Sequence, residues 1–422
     1  MATPDRPSLL KRWATDGTAY LIAGTVVHSF INYVYQLFGA RSLGEVEFAP
    51  VASLLALTFL VFAIVLLPIE QLVIRAVTFR GGFSRDPRST IRTAVLITVI
   101  IAALVAFIGR DRLFAGQSLF IVLVIATVLT HGLNVVGRGQ LAGHRRFAAY
   151  GGATAGTAML RLLVAIGLAL IVPSALGFGV ALAVGPLVIL VWASSVRLPG
   201  KETAHSEESP SRFLTSLILA AAASQVLLVA GPLVAGAMGA AAAEISIIYV
   251  TLTIVRVPLV LGSSLVARVL PPLTNLATLG LDAELNRWVV KFTIGAAALA
   301  IPTGFLAARI GPDIVALLFG EGFRPPSVFV GVAASGIIIT GGAMFVGQVL
   351  VARGDTTRLA IGWGFALVVA MIALALSNGE IAVRLGLAFL MGEIAALAST
   401  AVLSYRIPKN SDGEVSAEPE PA

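Results

Sequence analysis

At 422 residues, 58% hydrophobic and only 12% charged, with a mean hydropathy of +0.95, the chain is too apolar for a water-soluble fold, which carries about one quarter charged residues. It reads as an integral membrane protein. The lack of cysteine excludes disulfides, thiolate metal sites and cysteine nucleophiles. The net charge of +7 arises from basic residues in short connections between apolar segments, a pattern of membrane topology and not of nucleic-acid binding.

The N-terminal stretch PSLLKRWATDG is cationic and precedes an apolar run from Tyr20 to Phe38. A signal peptide has an apolar region of about 7–15 residues. This run is longer and carries Asn32, Tyr33, Tyr35 and Gln36, so it reads as the first permanent span. A spanning helix needs about 20 mostly apolar residues. Twelve segments qualify: 18–38, 48–69, 90–109, 118–137, 152–172, 175–196, 213–238, 245–267, 288–308, 326–351, 359–377 and 383–404. Long apolar runs without alternation exclude a closed barrel.

Lysine and arginine divide 21 to 6 between the side holding the termini and the opposite side; with Arg161 and Arg256, which lie inside spans, they account for all 29. The positive-inside rule then places both termini in the cytoplasm, with the chain in the cytoplasmic membrane. The longest polar connection, RLPGKETAHSEESPSR, spans 197–212 and separates six helices from six. The expected organisation is an N-terminal lobe (1–200), a cytoplasmic linker (201–212), a C-terminal lobe (213–405) and an acidic tail (406–422), the last expected to be disordered.

The halves resemble each other. LVIRAV (72–77) matches LVARVL (265–270), ARSLGEVEF (40–48) lies opposite AGAMGAAAA (235–243) with Gly44 against Gly239, and VGRGQLAG (136–143) matches VGQVLVARG (346–354). Six helices per half preserves orientation, so the repeats are parallel, with an axis along the membrane normal. The expected fold is all-α: twelve transmembrane helices in two six-helix lobes.

Several segments resemble a known family. ARSLGEVEFAPVASLLAL is similar to the first-loop pattern of polysaccharide flippases, and VGRGQLAGHRRF to the exit of their fourth helix. VRVPLVLGSSLVARVLPPLTNL resembles their eighth helix, and LVARGDTTRLA the exit of helix ten. RIGPDIVALLFGEGFRP resembles the glycine–proline motif after helix nine, the most specific of the set. Together these cover about residues 18 to 405. The resemblance is to the Wzx-like branch of the multidrug/oligosaccharidyl-lipid/polysaccharide exporter superfamily. It implies a V-shaped pair of lobes and a polyprenyl-diphosphate-linked glycan as substrate. It also implies membrane lipids, a polysaccharide polymerase and glycosyltransferases as partners, with no cofactor and no nucleic acid.

On that reading the polar residues within spans become candidates. His28, Asn32 and Gln36 recur at i, i+4, i+8 and share one face of helix 1; such a stripe faces a cavity or another helix, and sugar hydroxyls are natural partners. His28 and His131 each stand alone, without a second ligand at metal spacing, and a lone histidine is more often a packing residue. Glu70, after Pro68, is a candidate for ion or proton coupling, for pairing with an arginine, or for a plain interfacial role. Arg75 and Arg268, related by the repeat, are either positive-inside residues or captors of a lipid diphosphate. Gly152 and Gly156 have the spacing of a close helix crossing. Arg161 reads as nearer the cytoplasmic end of its span, where it either snorkels or meets the ligand. Arg256 lies about 11 residues from either end of span eight, roughly 16 Å at helical rise, too deep for easy snorkelling. It is either a substrate anchor, whose forked donors match phosphate oxygens, or half of an internal ion pair. Pro258 frees a carbonyl beside it and bends the helix.

Other functions fit less well. A multidrug or cation antiporter of the same superfamily would place acids in its cavity, whereas the deepest charge here is positive. A lipid-linked peptidoglycan-precursor flippase usually has more than twelve spans. A glycosyltransferase would carry paired acids on a large loop, leaving a membrane scaffold as the non-transport alternative. No nucleotide-binding motif is present.

Overall fold

The computed structural model describes residues 18–78, 83–84, 86–198 and 209–405, with the backbone alone for residues 18, 220 and 260–268. All but the last four residues of the expected linker, and the whole tail, lie outside the described residues.

Among the described residues, twelve helices are long and apolar enough to cross a membrane. In chain order these are α1 (Thr18–Glu47), α2 (Ala49–Thr78), α3 (Pro87–Ile108), α4 (Leu119–Gly143), α5 (Phe147–Ala169) and α6 (Ala175–Val196). The second set is α7 (Pro210–Val229), α8 (Ala242–Val255, resuming as Val257–Thr278), α9 (Asp282–Phe319), α10 (Ser327–Ala352), α11 (Thr356–Leu376) and α12 (Ile381–Ser404). Phe30, Ile108, Leu170, Phe305 and Leu376 are exposed on the outside of the molecule, an apolar surface suited to lipid. The protein is a multi-pass membrane protein. An even number of spans puts the start of α1 and the end of α12 at one face, here termed the near face; the α1–α2 turn marks the far face.

The repeat is visible in how the helices pack. Within the first six, α1 packs on α5, α2 on α4, α3 on α4, α4 on α6 and α5 on α6. The same five pairings recur six helices later: α7 on α11, α8 on α10, α9 on α10, α10 on α12 and α11 on α12. Gly44 and Gly239, aligned by sequence, both turn the chain with positive φ, 76° and 87°, a conformation open to glycine but strained for other residues. The lobes meet where α7 and α8 pack against α1 and α2.

Close helix approach follows from small residues. A Cβ on Gly24 of α1 would stand 2.4 Å from the carbonyl oxygen of Gly151 on α5. The Gly152/Gly156 pair instead receives Trp192 and Val188 of α6.

Several helices outrun the spans read from sequence. α9 continues to Phe319 through Pro302 and Pro312, so the glycine–proline motif lies within its last turns and not after it. α4 continues to Gly143, which places Arg138 inside a helix and not in a connection. The seventh span breaks at Ala230, with a short helix following at Gly231–Ala237. Charged residues mark the edge of the bilayer, but a helix runs on past that edge.

Candidate functional site

The site begins at the interruption in α8. Pro258 has no N–H to give the Ile254 carbonyl, four residues earlier, so the regular ladder fails there. The helix stops at Val255 and restarts at Val257, with Arg256 at the joint. Arg256 lies fourteen residues from the far-face end of α8, about 21 Å along the helix. Its Nη2 donates to the Leu228 carbonyl near the end of α7, while its buried Nε has no hydrogen-bond partner.

The first lobe brings the α1 stripe to the same level. Tyr33 Oη donates to the Thr253 carbonyl at 3.4 Å, and Tyr249 Oη donates to Gln36 Oε1 at 2.9 Å; both bonds cross between the lobes. Asn32 Oδ1 accepts from Arg161 Nη1 at 2.7 Å. His28 lies deeper in the lobe, its Nδ1 2.9 Å from the Thr154 carbonyl. The stripe thus faces α5 and α8, in keeping with the rule that polar groups avoid lipid.

Arg161 is only 5% exposed and does not snorkel. α5 starts at Phe147, five residues before the span read from sequence, so Arg161 stands fourteen residues from the near-face end and closer to the far one. It points inward: Nη2 is 3.5 Å from His131 Nε2, the guanidinium stands over the Tyr35 ring at 5.6 Å, and Nε has no partner. His131 Nδ1 is 2.9 Å from the Thr127 carbonyl. A tautomer protonated at Nδ1 satisfies both contacts, since Nε2 is then free to accept from the arginine. Tyr249 feels the charges of both Arg161 and Arg256. Among the described residues, neither arginine forms an ion pair.

Two guanidinium groups, one per lobe, therefore reach one mid-membrane seam without a carboxylate. Beside the α8 joint is an apolar cavity of about 330 Å³, lined by Pro258, Leu259, Phe292, Leu299 and Phe345, with Lys291 in its wall.

The remaining candidates lie toward the near face, apart from this seam. Glu70, 2% exposed, accepts from Arg138 Nη2 at 2.5 Å and Nε at 3.3 Å; Arg138 Nη2 also donates to Tyr150 Oη at 3.1 Å. Arg75 stands over Phe213 of α7 at 5.1 Å, in a cleft of about 360 Å³ with Gln71, Ile74 and Thr78. The Arg268 side chain lies outside the described residues.

Toward the far face the seam is closed. Arg41 of α1 donates from Nε to the Leu318 carbonyl at 2.6 Å and from Nη2 to that of Leu317 at 2.5 Å. Arg112 Nη1 donates to Ala237 O at 2.6 Å, and Phe48 packs between Tyr249 and Phe323. Toward the near face, the second half of α8 leaves the seam to pack on α9 and α10.

Sequence reasoning found Arg256 by its depth and the stripe by its period. It missed Tyr33 and Tyr249 as bridges between lobes and ranked an inward-facing Arg161 below a snorkelling one. It also passed over Glu393, whose signal was a lone acid at the centre of an apolar span.

No family model matches the chain, and no curated protein does. Solved structures do. A lipid II flippase, MurJ, in an inward closed conformation superposes with TM-score 0.64 at 12% identity, over 91% of this chain and 86% of that one. An inward-facing multidrug resistance MATE family transporter of the MOP superfamily gives 0.61 at 13% identity, over 91% and 97%. The Vibrio cholerae MATE transporter VcmN in its bent form gives 0.51 at 14%, over 92% and 97%. At such identities the likeness is one of fold: the twelve helices of this chain are arranged as in these transporters.

Proposed function

We propose that the chain is a flippase moving a polyprenyl-diphosphate-linked oligosaccharide across the cytoplasmic membrane by alternating access. The observation that carries this reading is the pair of arginines, Arg161 and Arg256, held at mid-membrane on opposite lobes without a carboxylate partner. A buried charge without a counterion is expensive in a bilayer, and a substrate that brings two phosphates supplies the missing anion. Guanidinium forks suit phosphate oxygens. The stripe of Asn32 and Gln36 suits sugar hydroxyls, with His28 behind it, and the apolar cavity beside Pro258 suits an isoprenoid chain. Arg75, three residues from the near-face end of α2, and Arg268, ten residues from that of α8, would meet the diphosphate as it enters.

With the near face cytoplasmic, as the charge count expects, closure of the far face by Arg41, Arg112 and Phe48 fits a loading state. A drug or cation exporter would need an acid facing the seam. Here Glu70 is paired with Arg138, and Glu393 is enclosed within the second lobe. Glu70 then serves the cycle by letting its ion pair open and close. The test is to delete the gene and identify what accumulates in the cytoplasmic leaflet. A polyprenyl-diphosphate-linked glycan supports the reading, and an unchanged lipid profile with raised sensitivity to cationic drugs overturns it.

A further inference from the structure

Glu393 lies at the middle of α12, twelve residues from its first residue and eleven from its last, so about 16–18 Å from either end. It is fully buried, 0% exposed, and neither carboxylate oxygen has a hydrogen-bond partner. Among the described residues, the polar side chain that reaches it is Thr340 of α10, and that hydroxyl donates to the Gly336 carbonyl instead, at 2.8 Å.

Among the described residues, no charged group compensates it. α10 carries none between Ser327 and Ala352. The charges of the other helices packed on α12 stand far from its centre or on other faces: Arg212 in the first turn of α7 and Arg358 in that of α11. On α9, Asp282, Glu284 and Arg287 lie in the first two turns, and Arg309 and Asp313 toward the far face. Lys291 lines the cavity beside Pro258. On α12 itself, Arg384 donates to Leu374 O. An ionised carboxylate with neither donor nor cation is costly by several kcal/mol in such a place. A carboxylic acid is not.

The neighbourhood ties this group to the seam. Gly392 touches Leu227 of α7, and the next carbonyl along, Leu228 O, is the one that holds Arg256. We propose that Glu393 is the proton-carrying group of the transport cycle. It is protonated while the far face is closed and ionised when movement of α7 and α12 admits water. The step is O–H dissociation: the proton passes to water, the electron pair stays on the carboxylate, and nothing is oxidised or reduced. The proposal rests on the alternating-access reading but names a coupling residue that the seam does not contain.

The test needs no transported substrate. In this cysteine-free chain, spin labels on Val46→Cys and Leu317→Cys report the far-face opening in nanodiscs by pulsed electron resonance. The distance distribution should shift from closed to open between about pH 5 and about pH 9, a range that spans the titration of carboxyl groups in proteins. Glu393→Gln should stay closed throughout, with unchanged thermal stability, and Glu393→Asp should regain a transition. The infrared band of a protonated carboxyl at neutral pH should disappear in Glu393→Gln. Should that variant misfold, Thr340→Val removes a neighbouring hydroxyl and should move the midpoint to higher pH. A Glu393→Gln protein that titrates like the parent overturns the proposal. So does a parent that ignores pH, lacks the band, or opens with added sodium at constant pH. The arginine variants discussed below test substrate recognition separately, so either idea can fail alone.

Discussion

Replacing Arg256 with alanine separates a substrate anchor from a structural residue. Its guanidinium makes one hydrogen bond, to Leu228 O, and leaves Nε buried and unpaired. The bond contributes about 1 kcal/mol net, and the unpaired donor costs about 1–3 kcal/mol. Deleting both should leave stability unchanged or raise it by about 1–2 kcal/mol. Against a diphosphate, the same fork offers charge-assisted bonds whose loss is worth about 2–3 kcal/mol, or about 30- to 140-fold in affinity. The assay is binding of farnesyl diphosphate to purified protein, read by thermal shift across a concentration series. Arg256→Lys keeps the charge without the fork and should lose about tenfold; Arg256→Glu should abolish binding. An Arg256→Ala protein that binds like the parent refutes the reasoning. One that loses stability and regains it when a nearby acid is neutralised shows an ion pair instead.

Breaking the Glu70–Arg138 pair with Glu70→Gln alone should lower stability by about 3–5 kcal/mol, because a buried guanidinium is stranded. The double variant Glu70→Gln/Arg138→Gln should recover most of that in detergent melts, and failure to recover would mean the two act independently. Gly24→Val should force α1 off α5, with a loss of about 1–3 kcal/mol; an unchanged melting temperature would show that the crossing is loose. A cysteine at Gln117 should react with an impermeant thiol reagent added outside cells, and one at Ser206 should not. The reverse pattern would invert the topology.

The membrane fold was legible because twelve apolar runs and the alternation of basic loops are properties of composition along the chain. The repeat was legible at one turn in particular, where Gly44 and Gly239 share a backbone conformation that few other residues tolerate. Helix ends were less so: Arg309 and Pro312 look like the close of a span, yet α9 carries them as helix. The seam was half legible. Arg256 announced itself by depth, but Arg161 meets Asn32 across 129 residues of sequence, and no local pattern encodes that approach. Tyr33 and Tyr249 looked like ordinary aromatics until a second lobe supplied their acceptors.

Arg41 grips the end of α9 through two main-chain carbonyls and no side chain. Every residue type supplies such a carbonyl, so positions 317 and 318 can drift in sequence without weakening the clasp. Only the arginine is chemically irreplaceable. Substitutions that retune how tightly the lobes hold at the far face should therefore gather on α1, and the helix it holds is free to adapt its surface to the surrounding lipid.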